Sequence, residues 1–148
     1  MASKYFLSSL LIAAVLLNAC SDDEEELSLA PIIAFQSITP AVASELVDPI
    51  EIKITYYDEN GDLGENDASV KNLFVVDSRN QVTYEFRIQQ LAPSGSAIPI
   101  EGTLTIDIDP LVMTSSSSTE SVSFSMYCKD RAGNLSNTVS TTAITINE

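Results

Sequence analysis

The residues best suited to chemistry lie in one acidic stretch, residues 58–67, with the sequence Asp-Glu-Asn-Gly-Asp-Leu-Gly-Glu-Asn-Asp. Five of these ten residues are acidic and none is basic. Asp58, Asn60 and Asp62 stand at alternate positions, so their side-chain oxygens can turn toward one point, and the glycines permit sharp turns. Hard cations such as Ca²⁺ take about six to eight oxygen ligands in loops of this style. Together with Gly64 and Asp67, these residues form a candidate calcium site.

The match of this stretch to the EF-hand calcium loop is partial. Leu63 stands where that motif has glycine, and Ser69 stands where it has a bidentate glutamate. The stretch also resembles the Asp-Gly-Asp-x-Gly loops of surface lipoproteins of Bacteroidota. The alternative is an Asx-rich turn whose side chains cap their own backbone and whose charges are solvated. Ca²⁺ is therefore a candidate cofactor, and an acidic turn without metal stays open.

The rest of the composition argues against catalysis and against nucleic-acid binding. The chain contains no histidine, so no side chain has an unperturbed pKa near neutrality. It carries no Gly-x-Ser-x-Gly pattern and no phosphate-binding loop, and nothing marks out one carboxylate pair among 21 acidic residues. Seven basic residues leave a formal net charge of −14, which repels phosphate backbones. We expect a protein that is not an enzyme and does not bind nucleic acid.

Two tyrosines are candidates for stacking on sugar rings. Tyr57 and Tyr127 fall on the polar faces of their predicted strands. Exposed aromatic rings at such positions are what a glycan-binding surface needs. The alternative is that both rings only cover the sheet.

These candidate residues must be positioned by strands, because apolar residues recur with period two from Ala30 onwards. No convincing helical stripe occurs outside the N-terminal leader. Seven short strands at regular spacing predict a two-sheet antiparallel sandwich over residues 30–148. The predicted strands cover residues 31–38, 50–57, 73–76, 82–88, 103–108, 122–128 and 139–146.

The turn Asp130-Arg131-Ala132-Gly133-Asn134 resembles the final hairpin of bacterial immunoglobulin-like domains, where an Asp-x-Ala-Gly-Asn pattern joins the last two strands. The resemblance covers about the final 25 residues. It implies an immunoglobulin-like sandwich in which this turn has a structural role. Cys128, on the apolar face of the preceding strand, is expected to be a core residue and not a nucleophile.

The N-terminus, residues 1–19, has the pattern of a secretory signal. Lys4 provides positive charge, residues 5–17 are almost continuously apolar, and a small residue, Ala19, precedes Cys20. The apolar run is shorter than the roughly 20 residues of a spanning helix, so it is a leader and not a transmembrane anchor.

Leu17-Asn18-Ala19-Cys20 resembles a bacterial lipobox, with Asn18 at a position where a small or apolar residue is usual. The resemblance implies that Cys20 carries a diacylglycerol and an acylated amine, which would anchor the protein to a membrane without a spanning helix. The alternative is an ordinary secretory leader with a chance cysteine at its end.

Residues 20–29 begin with Cys20 and contain the acidic block Asp22–Glu26. This block resembles the export signal of Bacteroidota surface lipoproteins, which implies an outer-membrane protein facing the cell exterior. Five acidic residues without a basic one predict an extended tether. The alternative is a solvated spacer that has no role in targeting. The sequence thus predicts a non-catalytic, lipid-anchored module that binds an envelope protein or glycan, or supports an envelope complex. A calcium-binding or glycan-binding accessory lipoprotein is the alternative function.

Overall fold

The computed structural model describes residues 29–148. The predicted leader, the lipobox with Cys20, and the acidic tether up to residue 28 lie outside the described residues. The described part of the chain is all-β and contains ten strands and no helix, so none of its segments is a helix able to cross a membrane. The strands are β1 (Ile32–Thr39), β2 (Val42–Ser44), β3 (Ile50–Asp58), β4 (Leu73–Asp77), β5 (Thr83–Phe86), β6 (Ile100–Ile108), β7 (Thr119–Val122), β8 (Phe124–Cys128), β9 (Val139–Ser140) and β10 (Ile144–Asn147).

The strands form three sheets, with the orders β1-β3-β6, β2-β10-β7 and β5-β4-β8-β9. Every pairing is antiparallel except that of β2 with β10. Only Ser123 separates β7 from β8, and a short segment separates β9 from β10. The chain therefore passes directly from the second sheet to the third between β7 and β8, and back to the second between β9 and β10.

The all-β prediction is confirmed, and the structure corrects the number of strands. Each of the seven predicted strands has a counterpart, but β2 was missed because it has only three residues and follows directly after Pro40 and Ala41. The predicted strand 139–146 is divided into β9 and β10, and the predicted strand 122–128 joins the last residue of β7 to β8, which Ser123 separates. The division has a local cause, because Phe124 N donates to Thr141 Oγ1 and Ser123 N donates to Ser78 Oγ. Side-chain oxygens here replace the carbonyl acceptors of a continuous ladder.

The core forms where the period-two pattern places it. Ile50, Ile52 and Ile54 of β3 are at most 1% exposed, and they belong to one cluster with apolar residues from all three sheets. Burying an aliphatic side chain of this size contributes roughly 1.5–3 kcal/mol. Cys128 is fully buried in the same cluster, as predicted, and burial raises the pKa of its thiol to about 11.

The central strand β4 differs from its prediction. The nearly continuous apolar run Leu73–Val76 predicts a strand buried on both faces. Only Leu73, Val75 and Asp77 are buried, however, while Phe74 and Val76 are half-buried. The second face is partly covered by an aromatic contact, because the ring of Phe74 stacks on that of Tyr127 with centroids 5.0 Å apart.

Buried acids lie at the ends of two of these strands and just beyond the end of a third. Asp58 continues the core-facing alternation of β3, and Asp77 does the same at the end of β4. Asp130 lies two residues beyond the buried Cys128 that ends β8, and it is 5% exposed. Period-two geometry points these carboxylates toward the core and away from solvent. Each therefore needs a specific partner.

Candidate functional site

The loop of residues 58–67 begins on the buried end of β3. Asp58 is fully buried, and its Oδ2 accepts a hydrogen bond of 2.6 Å from the backbone amide of Leu63. The side chain of Leu63 is itself fully buried in the core, which fixes the middle of the loop. Gly64, at a φ of +92°, lies so close to the next segment that an added Cβ would be 2.2 Å from the carbonyl oxygen of Gln89. The loop is thus held by apolar packing and by a close backbone approach.

Three side-chain oxygens of this loop are buried and have no hydrogen-bond partner: Asp58 Oδ1, Asn60 Oδ1 and Asp62 Oδ1. Among the residues that the structure describes, no other buried side-chain nitrogen or oxygen is unpartnered. These are the three alternate positions that the sequence selected. The buried side-chain oxygens without partners in the described residues therefore all belong to one loop.

The turn of residues 130–134 packs against the loop. The backbone amide of Arg131 donates to the carbonyl oxygen of Asp62 at 3.2 Å. The guanidinium group of Arg131 donates to the carbonyl oxygens of Gly64 at 2.8 Å and of Gly61 at 3.2 Å. The Asp130 carboxylate accepts from both the backbone amide and the side-chain amide of Asn134, each at 2.8 Å. Loop and turn thus form one unit, referred to below as the acidic end.

The electrostatics of the acidic end are dominated by like charges. The pKa of Asp62 is raised, first by desolvation and then by the negative charges of Asp130 and Asp58. The backbone amide of Ala132 and the positive charge of Arg131 act in the opposite direction without cancelling the rise. The Asp62 carboxylate is therefore repelled by those of both Asp130 and Asp58, and Arg131 only partly offsets this repulsion.

The structure divides the five candidate calcium ligands. Asp58, Asn60 and Asp62 present the unpartnered oxygens, whereas the Gly64 carbonyl already accepts from Arg131. Asp67 is exposed, and its Oδ1 accepts from the backbone amide and hydroxyl of Ser69, which lowers the pKa of Asp67. Asp67 thus closes a local turn away from the unpartnered oxygens.

Within residues 29–148, no three carboxylate or cysteine side chains are arranged to hold a metal ion by themselves. Any cation at the acidic end would need the amide oxygen of Asn60 as well as the carboxylates. Oxygen donors of this mixed kind suit hard cations and not the thiolate- or imidazole-binding metals.

Sequence reasoning did not connect Asp130 and Arg131 to this loop, because Arg131 and Gly64 are 67 positions apart. One signal was present. Asp130 follows Phe124, Met126 and Cys128 in the same period-two phase, so an acid stands where the pattern places a core residue.

The two candidate sugar-stacking tyrosines are not brought together. Tyr57 is 40% exposed on β3, in the β1-β3-β6 sheet. Tyr127 lies on β8, in the β5-β4-β8-β9 sheet, where its ring is stacked on Phe74. They therefore belong to two separate surfaces.

Comparisons with known proteins provide no relative from which a function could be transferred. No family model matches the chain, no curated protein matches it, and no solved structure matches it.

Proposed function

We propose that this chain is a non-catalytic, lipid-anchored module of the outer-membrane surface that binds an envelope partner or supports an envelope complex. The observation that carries the proposal is the lipobox-like Leu17–Cys20 followed at once by the acidic block Asp22–Glu26. Acyl chains on Cys20 would anchor the protein, because each buried methylene contributes about 0.8 kcal/mol and several chains act together. The acidic block would hold the domain away from anionic headgroups.

An immunoglobulin-like sandwich is the proposed form of the folded domain. In support of it, β1 pairs with β3, and the chain then crosses after Pro40 so that β2 pairs in parallel with β10. One apolar core joins the β1-β3-β6 sheet to the other two. Sandwiches of this type host many binding functions, so the fold is compatible with a surface role without choosing the partner.

We also propose an orientation for the anchored domain, supported by the contacts at the start of the described chain. The Asn134 side-chain amide donates to the Leu29 carbonyl oxygen at 3.1 Å, and Asn137 exchanges two hydrogen bonds of 2.8 Å with the backbone of Ile33. The tether therefore joins the domain beside the 130–134 turn. The turn at residues 78–81 contacts Ser123 at the opposite end of β8, so we expect it to face away from the membrane and toward partners.

Two observations support a non-catalytic role. The chain has no histidine to act as a base near neutral pH. Cys128, the cysteine within the described residues, is fully buried with its pKa raised to about 11, which disfavours the reactive thiolate.

The two alternative functions differ in their support. Glycan binding has less, because Tyr57 and Tyr127 lie on different sheets and Tyr127 is already stacked on Phe74. Calcium binding is favoured by the unpartnered oxygens of the acidic end. It is compatible with the anchored module, since it concerns the folded domain and not the leader.

The anchor is tested by metabolic labelling with palmitate in a bacterial host that has the lipoprotein pathway. We expect label and membrane retention in the wild type and loss of both in Cys20→Ala. Cys128→Ala is the matched control, because it removes the other cysteine of the chain and should leave the label unchanged. Equal labelling of Cys20→Ala and wild type would contradict the proposal.

The surface location is tested separately by digesting intact cells with protease. We expect the wild-type domain to be cleaved. A variant with Asp22–Glu26 replaced by serine should remain membrane-bound but protected. Protection of the wild type in intact cells would refute surface exposure while leaving the anchor itself standing.

A further inference from the structure

The acidic end contains buried polar atoms for which the described chain provides no hydrogen-bond partner. A buried polar oxygen without a partner costs about 1–3 kcal/mol, and here three occur within the five residues from Asp58 to Asp62. Asp58 is the clearest case, because the whole residue is buried while one of its two carboxylate oxygens contacts no donor. The remainder of the described domain satisfies its buried side-chain polar atoms, so the exception needs a local cause.

The missing partner must supply positive charge. All three unpartnered atoms are acceptors, two of them belong to carboxylates, and the turn that packs on this loop adds a third acid, Asp130. A water molecule could donate hydrogen bonds to two of these oxygens, but it would not offset the repulsion among the acids. Arg131 is the nearby cation, and its guanidinium group is directed at the Gly61 and Gly64 carbonyl oxygens. A bound metal ion meets both needs.

We propose that Asp58 Oδ1, Asn60 Oδ1 and Asp62 Oδ1 are ligands of one Ca²⁺ ion held between the 58–67 loop and the 130–134 turn. Asp130 adds negative charge but is not a ligand, because both of its carboxylate oxygens already accept hydrogen bonds from Asn134. Arg131 holds the loop in place through the Gly61 and Gly64 carbonyls.

Calcium fits this site better than magnesium does. Ca²⁺ accepts irregular sets of about six to eight oxygens, whereas Mg²⁺ requires a near-octahedral set and gives up its waters reluctantly. Three side-chain oxygens from one loop leave the remaining positions to carbonyls and water. With only two ligating carboxylates, the dissociation constant should fall in the range of extracellular modules, about 10⁻⁴–10⁻³ M.

The test is a calcium titration of the full-length protein purified in detergent and first treated with a chelator. Melting is followed by far-ultraviolet circular dichroism in EDTA and in CaCl₂ up to about 10 mM, well above the expected dissociation constant. We expect the melting temperature to rise with CaCl₂ by several degrees, and to rise clearly less with the same concentration of MgCl₂.

Three variants locate the ion. Asp62→Asn and Asn60→Ala should each weaken calcium binding by about tenfold or more, because each removes or neutralises one ligand. Asn60→Ala leaves the net charge unchanged, so its effect separates coordination from general attraction, and it remains informative if Asp62→Asn folds poorly. Asp67→Asn is the matched control, since it removes one charge from the same loop at an exposed position and should retain wild-type affinity.

Two outcomes would overturn the inference. One is a melting temperature that does not change with CaCl₂ in the millimolar range. The other is a calcium response equal in the wild type, Asp62→Asn and Asn60→Ala, which would place the ion elsewhere. Neither outcome bears on acylation of Cys20, so failure of this inference is distinguishable from failure of the anchor.

Discussion

Two groups of acids, each with at least one buried aspartate, lie at opposite ends of β8 and differ in what their oxygens contact. Asp77 pairs in register with Phe124, the first residue of β8, whereas Asp130 follows the last. Around Asp77, the Arg79 guanidinium donates to Asp77 Oδ1 at 3.1 Å, to Asp77 Oδ2 at 2.7 Å and to Glu120 at 2.8 Å. Glu120 also accepts from the amide and hydroxyl of Thr114. In this group each acid has a cation within the chain.

The acidic end has the same ingredients in another arrangement. Its arginine, Arg131, donates to carbonyl oxygens and not to the carboxylates, so oxygens of Asp58 and Asp62 remain unpartnered. The difference appears in the pKa values. The pKa of Arg79 is raised by its hydrogen bond to Asp77, whereas that of Asp62 is raised by burial beside other acids. The fully buried Asp77 is thus paired within the chain, whereas Asp58 and Asp62 each keep one carboxylate oxygen without a partner.

The largest expected effect is at the paired group. Replacing Asp77 by asparagine leaves Arg79 buried without its main counter-charge, since the two side chains are only 0% and 6% exposed. Breaking a buried pair of this kind costs about 3–5 kcal/mol of the free energy of unfolding. Urea denaturation measures it, and Ca²⁺ should not restore the loss. A cost below about 1 kcal/mol would mean that the pair is no more important than a surface ion pair.

The next effect concerns the apolar anchor of the acidic end. Leu63→Ala removes a fully buried side chain from the core, which costs about 2–5 kcal/mol in urea denaturation. We expect the calcium response to weaken as well, because Leu63 fixes the loop that carries the three oxygens. Leu29→Ala, at a residue that is 58% exposed, is the control and should change neither quantity. An unchanged stability in Leu63→Ala would show that ionic contacts, and not packing, hold the loop.

The third prediction is that replacing an aspartate by asparagine changes stability in opposite directions in the two groups. In EDTA, Asp62→Asn should be as stable as the wild type or more stable, because the substitution removes a charge that Asp130 and Asp58 both repel. The same chemical change at Asp77 is destabilising, so the two variants form a matched pair. Thermal melts of both in EDTA make the comparison. Strong destabilisation by Asp62→Asn in EDTA would mean that the Asp62 charge stabilises the fold without a metal ion, as the Asp77 charge does.

The smallest effect is a pH dependence at Glu120. Its pKa is lowered from 4.5 by hydrogen bonds from Thr114 and by Arg79, so the folded state favours the ionised form. The resulting stabilisation is complete above pH 4.5 and is lost as the pH falls through the lowered value. Between about pH 6 and pH 3, the melting temperature of Glu120→Gln should fall less than that of the wild type. Parallel curves for the two proteins would remove Glu120 from the acid response.

The strands were predictable from the sequence to the extent that one face of each is buried. In β3, Ile50, Ile52 and Ile54 alternate with polar residues because one face packs on the core. The short β2 has too few residues to show a period. The breaks at Ser123 and Thr141 depend on which side-chain hydroxyl meets which backbone amide, and this is set by strand pairing.

Only the part of the candidate site that lies within one loop was predictable from the sequence. Residues two apart in a loop can be recognised from spacing, and the structure leaves one side-chain oxygen of each of Asp58, Asn60 and Asp62 without a partner. Gly64 and Asp67 were placed in the same group by proximity in sequence, although each contacts a different partner. Tyr57 and Tyr127 each lie on the face of their strand that points away from the core, as expected, but the two strands belong to different sheets.

By itself, the sequence determined the all-β class, the main strands, the buried Cys128 and an acidic loop with three oxygens at alternate positions. It also contains the lipobox-like motif on which the proposed anchor depends. Only the tertiary structure decided that the 130–134 turn packs on that loop, that Arg131 is used on carbonyl oxygens, and that three side-chain oxygens remain without partners. The physical reason is that periodicity reports burial along one segment, whereas hydrogen-bond satisfaction depends on donors that other segments bring into reach.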